Sequence, residues 1–371
     1  MIHRLKFRIF AHSWTSDWNH GNAHFLRGLA SELVRMGHEV RCYEEENSWS
    51  RTNLLLEQSE IAKNALKQFH DSFPELDVRF YRRDDSLPTF LDHELSDAEV
   101  VLIHEWNPPT LVNAILQLKG KYRFLALFHD THHRAYTNPK EILQMNLASF
   151  DGVLAFGEAI RKIYEQGFGV QRAWTFHEAA DTAHFHRIAK DKKTDVIWVG
   201  NWGDEERTRE LQEYLIDPLS KLSVTAAVHG VRYPPSAKDC LSRAGIEFRG
   251  YLPNLHAPQV YGETLLTLHV PRRFYANGLS GVPTIRVFEA LACGIPLLCA
   301  PWTDTEGLFT ANEDYLLVPD GAAMTAEIRR LIADAAARSQ IAERGMCTIL
   351  SRHTCAHRAQ QLLNICEELA K

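Results

Sequence analysis

Several features that define other protein classes are missing from this chain of 371 residues. Positive charge is not in excess, because 41 Lys and Arg residues face 47 Asp and Glu residues and leave a net charge of -6. That balance argues against a protein that binds nucleic acid by neutralising its phosphates. No apolar run reaches the length of a membrane span, and the first residues lack the apolar core of a signal peptide. We therefore expect a cytoplasmic protein with no transmembrane segment and no nucleic-acid partner.

The sequence also lacks closely paired cysteines. None of its cysteines forms a Cys-x-x-Cys motif, and most lie in apolar surroundings, as Cys293 and Cys299 do. Such residues are typical of reduced thiols buried in a cytoplasmic protein. No internal repeat or low-complexity tract is visible, and the turn after the first predicted strand has no Gly-x-Gly-x-x-Gly motif. That turn therefore carries no dinucleotide-binding fingerprint.

What the chain does contain is a repeated alternation of strand-like and helical segments, which predicts parallel sheets in an α/β fold. Its length favours two domains rather than one. A charged stretch at 188–194 separates two alternating halves, so we place the first domain at 1–187 and the second at 194–352. Predicted strands lie at 5–10, 39–43, 100–104, 124–128, 152–156 and 173–176 in the first half and at 195–199, 223–229, 246–248, 265–270, 296–300 and 315–319 in the second.

The segment 281–296 carries the strongest local signal for a ligand site. Thr284 is placed to cap a helix, and Gly294 is placed to end it in a left-handed turn. A glycine-containing loop that leads into a helix offers free N–H groups and the positive end of a dipole to phosphate. Glu289 lies about 7.5 Å further along the axis, roughly the reach from a bound diphosphate to its ribose. The alternative is an ordinary crossover helix with a solvated glutamate.

Polar residues follow several predicted strands of the first half at their carboxyl ends, where α/β proteins bind ligands. Asp17 and His20 follow the first strand, and His129 and Asp130 follow another. Each of the four is placed to act as a general base toward an acceptor hydroxyl, and a structural role is the alternative for each. The histidines of 129–133 match no usual zinc spacing, so we expect no metal site.

Three tryptophans occur in the same loops. Trp14, Trp18 and Trp106 could stack against a sugar or an aromatic acceptor, because their rings offer large flat surfaces. The alternative is burial in the core, which we expect for Trp106 in particular. The exposure of each ring therefore separates the two interpretations.

Several motifs together resemble a known family. The run 288–296, FEALACGIP, resembles the donor-site helix of GT-B glycosyltransferases, and the wider set of motifs resembles their CgeB-like branch, a bacterial group named after a spore-coat maturation protein. Segments 20–22 and 35–40 resemble the first acceptor-side βα unit, and 179–185 resembles the junction between the domains. The resemblance implies two doubly wound Rossmann-like domains that face a central cleft. It also implies that a C-terminal helix at 353–371 packs back on the first domain.

The resemblance further implies that the second domain binds a nucleotide-diphosphate sugar, with a UDP-sugar favoured, while the first domain presents an unidentified acceptor. Glu289 would then bind the ribose hydroxyls, and the backbone near Tyr251 and Leu252 would meet the nucleobase. Asn201 and Arg207 would lie near the diphosphate. No cofactor beyond the sugar nucleotide is implied.

Two positions depart from the family pattern. Gly281 stands where retaining relatives often carry a second glutamate, and Asn201 stands where a basic residue often follows the first glycine of the second domain. Arg272 and Arg273 follow a predicted strand and could restore positive charge at the diphosphate. A solvated loop is the alternative for this pair.

Sugar transfer from such a donor requires that the leaving diphosphate be stabilised, and arginines with a helix N-terminus can do this without a metal ion. We expect Arg207, the arginines at 272–273 and the backbone at Thr284 to serve this purpose. For the first of these, an ion pair with a neighbouring acid, Asp204 or Glu206, is the alternative.

The sequence thus predicts a metal-independent glycosyltransferase of the hexosyltransferase type, and the family favours retention of the anomeric configuration. The alternative is a non-catalytic nucleotide-sugar-binding protein or partner subunit on the same fold, which Gly281 favours. The sugar, the acceptor and the oligomeric state are left open. The prediction depends on Glu289, because burial of this side chain away from any opening would contradict it.

Overall fold

The computed structural model describes residues 4–57, 59–203 and 205–371. They form two compact units. The first comprises the described residues up to Glu178 together with Cys355–Lys371, and the second is Ala179–Thr354. The second unit is thus inserted into the chain of the first.

The unit boundary differs from the predicted one, which followed the charged stretch at 188–194. The N–H of Ala180 donates to the carbonyl of His353 (2.9 Å), and a parallel bridge joins Ala180 to Thr354. These contacts tie the segment after Glu178 to the end of the second unit. The change in composition at 188–194 therefore falls inside that unit.

A parallel sheet of seven strands forms the centre of the described part of the first unit. Its strands are β1 (Lys6–Phe10), β2 (Glu39–Glu45), β3 (Asp77–Tyr81), β4 (Val100–His104), β5 (Leu125–Asp130), β6 (Gly152–Ala155) and β7 (Ala173–Thr175). They lie in the order β3-β2-β1-β4-β5-β6-β7. The register pairs His104 with His129 at the carboxyl ends of β4 and β5. The first strand thus lies inside the sheet, and later strands are added on both sides of it, as in doubly wound folds.

The described part of the second unit repeats this plan with six parallel strands. They are β8 (Thr194–Val199), β9 (Ala226–His229), β10 (Ile246–Gly250), β11 (Thr264–His269), β12 (Leu297–Cys299) and β13 (Leu316–Leu317). They lie in the order β10-β9-β8-β11-β12-β13. The carboxyl ends of β8, β9, β10 and β11 therefore share one edge, where a doubly wound sheet binds its ligands.

Helices connect the strands of both sheets. In the first unit they are α1 (Ala23–Arg35), α2 (Trp49–Leu56), α3 (Glu60–Ser72), α4 (Leu87–Leu95), α5 (Pro109–Tyr122), α6 (Arg134–Thr137), α7 (Pro139–Leu143) and α8 (Glu158–Lys162). In the second they are α9 (Thr208–Leu211), α10 (Asp217–Ser220), α11 (Pro235–Arg243), α12 (Ala257–Gly262), α13 (Arg273–Asn277), α14 (Ile285–Ala292), α15 (Gly321–Ala333) and α16 (Ala335–Arg352). The last helix, α17 (Cys355–Leu369), belongs to the first unit.

Specific contacts attach α17 to the first unit. The guanidinium of Arg358 donates to the carbonyl of His177 (2.9 Å), and the side-chain amide of Gln361 donates to the carbonyl of Thr175 (2.8 Å). The thiol of Cys355 lies 3.8 Å from the carbonyl of Phe25 in α1. The C-terminal helix therefore completes the N-terminal sheet unit.

Candidate active site

The second unit places a buried cation at the carboxyl edge of its sheet. Arg207, which precedes α9, is buried, and its guanidinium donates to the carbonyls of Val270 (3.2 Å) and Asn201 (2.6 Å). No carboxylate of the described residues forms an ion pair with it. Burial, and after it the charge of Arg272, lower the pKa of Arg207 to about 9. A buried cation without a counter-ion is costly, so this position favours an anionic ligand.

The loop after β8 is shaped to admit this guanidinium. Gly203 has a φ of +91°, and a Cβ atom at this position would lie 2.8 Å from Cγ and Nε of Arg207. Asn201 offers its carbonyl to the guanidinium and accepts a hydrogen bond from the N–H of Val231 on its Oδ1 (3.3 Å). The loop therefore fixes the guanidinium near the end of β11, where the sequence predicted the diphosphate.

The two arginines after β11 both form ion pairs, although Arg272 is half-buried and Arg273 is exposed. Arg272 donates to Glu206, and Arg273 donates to Glu210 at 2.9 Å and 3.0 Å. Glu206 thus pairs with Arg272, and its charge also acts on Arg207 by raising the pKa of that guanidinium. The other predicted partner, Asp204, lies outside the described residues. The positive charge of Arg272 contributes to lowering the pKa of Arg207.

Thr284 occupies the position before α14 that the sequence assigned to a cap. Its hydroxyl does not accept a hydrogen bond from an N–H of the first turn of α14, a segment that is described throughout. The hydroxyl lies instead 2.8 Å from Nε2 of His269, and Nδ1 of the same ring lies 3.0 Å from Sγ of Cys299. Gly294 ends the helix with a φ of +61°, as predicted.

Glu289 lies within α14 and is fully buried. Arg286, one turn earlier, donates to its Oε2, and the charge of this carboxylate adds to burial in raising the pKa of Tyr261 and of Cys293. The solvated-glutamate alternative is therefore wrong. A ribose could reach the carboxylate only if a side chain beside it moved. Arg286 is the candidate for this movement, because its side chain is partly exposed. The burial of Glu289 counts against the ribose contact, which stays a prediction that requires Arg286 to move.

The position of the missing second glutamate has a steric explanation. Gly281 has a φ of +87°, and a Cβ atom there would lie 2.4 Å from Oγ1 of Thr305 and 3.1 Å from the side chain of Glu306. A larger residue would strain the backbone and displace the loop at 303–306. Glycine is therefore the residue that fits this position without strain.

Tyr251 and Leu252 follow β10 at the same edge of the second sheet. Tyr251 is buried and Leu252 is half-buried. The N–H of Gly230 donates to the carbonyl of Gly250 (2.8 Å), which holds the ends of β9 and β10 together. The predicted contact of this backbone with a nucleobase stays a prediction.

The first unit groups histidines at the carboxyl edge of its own sheet. The ring centroids of His12 and His20 lie 3.9 Å apart, and that of His104 lies 6.0 Å from His12 and 5.5 Å from His129. Burial lowers the pKa of His12 to about 4 and of His129 to about 3, and it also lowers the pKa values of His20 and His104. The four rings are therefore neutral at pH 7.

His129 is the most enclosed of these rings. It is fully buried against Phe25 and Phe176, with ring centroids at 6.0 Å and 5.6 Å. Neither of its nitrogens has a hydrogen-bond partner in the described part of the chain. The structure thus brings His129 near the other predicted base residues but packs it among aromatic side chains.

Both predicted aspartates are already engaged by other side chains. Asp17 accepts a hydrogen bond from Arg27 (3.1 Å). Asp130 accepts one from the hydroxyl of Tyr164 (2.6 Å) and one from the N–H of His132 (2.9 Å). Burial raises the pKa of Asp130. These contacts favour structural roles over proton transfer for both carboxylates.

Buried Glu105 adds a second carboxyl group near Asp130. Burial raises the pKa of Glu105, and the Asp130 charge adds to this effect. Arg134 donates to Glu105 (3.0 Å and 2.9 Å), and its guanidinium lies 3.9 Å from the ring centroid of Trp106. The carboxyl pair is thus part of a buried network that ends at a tryptophan.

The exposure of the three tryptophans is the opposite of what the sequence predicted. Trp14 and Trp18 are buried, whereas Trp106 is 40% exposed. One partner of the Trp106 ring is the Arg134 guanidinium, and another is the edge of His132, at a centroid distance of 5.0 Å. Of these three tryptophans, Trp106 is therefore the one that a ligand of the first unit can reach.

The described residues include neither a metal-binding cluster nor a membrane-spanning helix. Among the residues that the structure describes, no three His, Cys, Asp or Glu side chains are grouped so as to hold a metal ion. Within the same residues, no helix is both long and apolar enough to cross a bilayer.

The chain is similar in part of its sequence and in its fold to known glycosyltransferases. Residues 207–364 match a family model described as glycosyl transferase-like. Similar solved structures include sucrose-phosphate synthase from Thermosynechococcus elongatus (13% identity, TM-score 0.69, 99% of both chains covered) and a glycosyltransferase from Rickettsia africae (10% identity, TM-score 0.67, 100% of this chain and 99% of the other). Anabaena HepE in complex with UDP and glucose is also similar (14% identity, TM-score 0.69, 98% of this chain and 100% of the other). The chain has the GT-B fold. No curated protein matches by sequence.

Several residues of this GT-B chain were not singled out by its sequence. His12 joins His20 in one cluster, His269 contacts Thr284, and Arg286 pairs with Glu289, the residue predicted to bind the ribose. The signal that could have found His269 is its position, since it is the last residue of a buried parallel strand. The GT-B fold places such strand ends beside its ligands.

Proposed function

We propose that this protein is a glycosyltransferase whose second unit binds a nucleotide-diphosphate sugar and whose first unit binds the acceptor. The GT-B fold and the glycosyl transferase-like match over 207–364 support this proposal. The observation that carries it is the buried guanidinium of Arg207, which has no carboxylate partner among the described residues and lies at the carboxyl edge of the second sheet. A diphosphate is the ligand that would compensate this charge.

The leaving group would be stabilised by charge and by hydrogen bonds. Arg207 and Arg272 would bind the diphosphate oxygens, and the first-turn N–H groups of α14 with the Thr284 hydroxyl would bind from the helix side. Each charge-assisted hydrogen bond contributes about 1.5–3 kcal/mol, so a few of them can take the place of a metal ion. We therefore propose a metal-independent transfer.

For the acceptor, we propose a retaining reaction in which the leaving phosphate takes the hydroxyl proton, as the family resemblance implies. An inverting reaction would instead need a side-chain base. Of the four candidates, His20 is then favoured, because Asp17 and Asp130 are held by other side chains and His129 is enclosed. Its neighbour His12 provides the second neutral imidazole of the cluster.

The finer assignments of donor and family are also proposals. We propose a hexose as the transferred sugar, UDP as the carrier and membership of the CgeB-like branch. Anabaena HepE, which has the same fold, was solved with UDP and glucose. The motifs at 288–296 support the branch assignment.

A thermal-shift and hydrolysis panel tests the proposal. The protein is incubated with UDP-, GDP-, ADP- and dTDP-sugars, and both the melting temperature and the release of nucleoside diphosphate are measured. One donor should raise the melting temperature and be slowly hydrolysed, and Arg272→Ala should abolish the shift. Arg330→Ala is the matched control, since this arginine forms an exposed pair with Glu327 on α15 (2.7 Å). A panel in which no nucleotide shifts the melting temperature contradicts the proposal.

The second candidate function is a non-catalytic sugar-nucleotide binder. Gly281 favours it, because its left-handed backbone leaves no room for the second glutamate of retaining relatives. This candidate predicts a melting-temperature shift without hydrolysis and without transfer to any acceptor in a crude extract. Detection of either reaction excludes it.

A further inference from the structure

A chain of three side chains connects β12, β11 and the start of α14. Sγ of Cys299 lies 3.0 Å from Nδ1 of His269, and Nε2 of His269 lies 2.8 Å from Oγ1 of Thr284. His269 is buried, whereas Thr284 is half-buried. The hydroxyl of Thr284 therefore stands at the end of a buried hydrogen-bonded chain.

The protonation of this chain has two possible arrangements. Burial, and after it the charge of Arg207, lower the pKa of His269 to about 3, so the ring is neutral and carries one N–H. If Nδ1–H donates to sulfur, Nε2 accepts the hydroxyl proton of Thr284. If the thiol donates to Nδ1, then Nε2–H donates to Oγ1 and the hydroxyl proton is available to a ligand.

A bound anion selects the second arrangement. Burial raises the pKa of Cys299, so its sulfur carries a proton that it can donate. The first arrangement would direct oxygen lone pairs of Thr284 toward the anion, which is repulsive. In the second arrangement the hydroxyl donates to the anion and gains a charge-assisted hydrogen bond.

The contact with His269 also changes what Thr284 does at the helix. A threonine at this position normally accepts a hydrogen bond from an N–H of the first turn, but in the described segment 284–292 this bond is not made. Because His269 engages the hydroxyl, the first-turn N–H groups are not filled by a side-chain cap. The N–H of Val287 donates instead to the carbonyl of Thr284 (3.0 Å), so the hydroxyl of Thr284 takes no part in capping the helix.

A second feature beside this chain points independently to an anion. Arg207 donates to the carbonyl of Val270, the residue after His269, and its charge lowers the pKa of His269. Nε of this buried guanidinium has no hydrogen-bond partner in the part of the chain that the structure describes. A cation that has no carboxylate partner among the described residues and a helix that Thr284 does not cap therefore both lie near the carboxyl end of β11.

We propose that His269 is a positioning residue that turns the Thr284 hydroxyl away from the helix cap and toward the diphosphate of the donor. This inference rests on the proposed function, because it assumes that a nucleoside diphosphate binds at the start of α14. His269 does not touch the ligand and acts through Thr284. Cys299 fixes which ring nitrogen carries the proton.

The test measures the affinity of the full chain for UDP and for uridine by calorimetry. His269→Leu should lower the affinity for UDP about tenfold or more and leave the affinity for uridine unchanged, because only the diphosphate loses a charge-assisted hydrogen bond. His269→Gln should retain most of the affinity, since its amide can donate from the place of Nε2. Thr284→Val should reproduce the loss, and Thr284→Ser should not.

The double variant separates positioning from a general structural effect. His269→Leu combined with Thr284→Val should bind UDP no more weakly than either single variant, because both remove the same interaction. Additive losses, or equal losses for UDP and uridine, overturn the inference. UDP binding by the wild-type chain that is unchanged in His269→Leu overturns the inference alone. A wild-type chain that binds none of UDP, GDP, ADP and dTDP overturns the proposed function and this inference together.

Discussion

Arg286 and Glu289 form an ion pair within one turn of α14, in which the carboxylate is fully buried and the arginine side chain is 25% exposed. The pair covers the residue that the sequence assigned to the ribose. A ribose that binds Glu289 must therefore replace Arg286 as a hydrogen-bond partner or share the carboxylate with it. This arrangement makes the contact with ribose hydroxyls testable without knowledge of the acceptor.

Glu289→Gln should remove the preference of the protein for ribose over 2′-deoxyribose. A carboxylate accepts hydrogen bonds from both ribose hydroxyls, and loss of one charge-assisted bond should cost about tenfold in affinity. The measurement is the ratio of the UDP and dUDP dissociation constants in the wild type and the variant. A ratio that the substitution does not change would show that Glu289 has only a structural role.

Arg207→Met should weaken UDP binding by at least about tenfold while changing the free energy of unfolding by less than about 1 kcal/mol. The substitution removes a buried charge, which stabilises the fold, and it also removes two hydrogen bonds to main-chain carbonyls, which destabilises the fold. The two effects should nearly cancel in the free energy of unfolding. Urea unfolding and calorimetry on the same protein measure the two effects. A loss of stability of several kcal/mol would identify Arg207 as a structural residue instead.

Acidification should destabilise the protein through its buried histidines. The pKa of His12 is lowered to about 4 and that of His129 to about 3, whereas an unfolded histidine titrates near about 6.5. Between these values the unfolded chain binds more protons, so the free energy of unfolding falls as the pH falls, by up to about 1.4 kcal/mol per pH unit for each histidine.

Urea unfolding at about pH 7.5 and about pH 5 measures this dependence. His129→Leu should reduce the slope, because it removes one neutral ring that has no hydrogen-bond partner in the described chain. Equal slopes in the wild type and this variant would show that His129 is not held neutral.

Gly281→Ala should destabilise the protein by about 1–3 kcal/mol. The backbone at Gly281 is left-handed, and a Cβ atom would lie 2.4 Å from Oγ1 of Thr305. Gly120→Ala is the matched control, because Gly120 lies within α5 with no atom within 4 Å of its added Cβ, and there alanine should stabilise by about 0.4–1 kcal/mol. Melting temperatures that move in the same direction for both variants would contradict this account.

The strands that carry the site were readable from the sequence because they are buried on both faces. Val100–His104 was predicted with its observed bounds, and its five residues are all buried. By contrast, Asp77–Tyr81 was not predicted, since this edge strand contains two charged residues and only its last residue is buried. Its Arg79 pairs with Glu94 (2.7 Å). Apolar runs identify central strands, whereas an edge strand depends on a neighbour that the local sequence does not reveal.

The sequence predicted where the residues of the candidate site lie, but it did not predict which residues they contact. Thr284 was correctly placed before α14, yet its hydroxyl is engaged by His269 from another element. Arg272 was placed at the end of β11, yet its partner Glu206 comes from a separate loop. Local spacing predicts which residues reach the edge of a sheet, but the pairings among them arise from tertiary contacts.

The return of α17 to the first unit has a consequence for truncation. A stop codon at Cys355 would leave Ala179–Thr354 intact in sequence and remove the helix that binds the carbonyls of Thr175 and His177. The damage would fall on the half of the protein that is synthesised first. During synthesis, the N-terminal sheet can therefore acquire α17 only after the whole of Ala179–Thr354 has been translated.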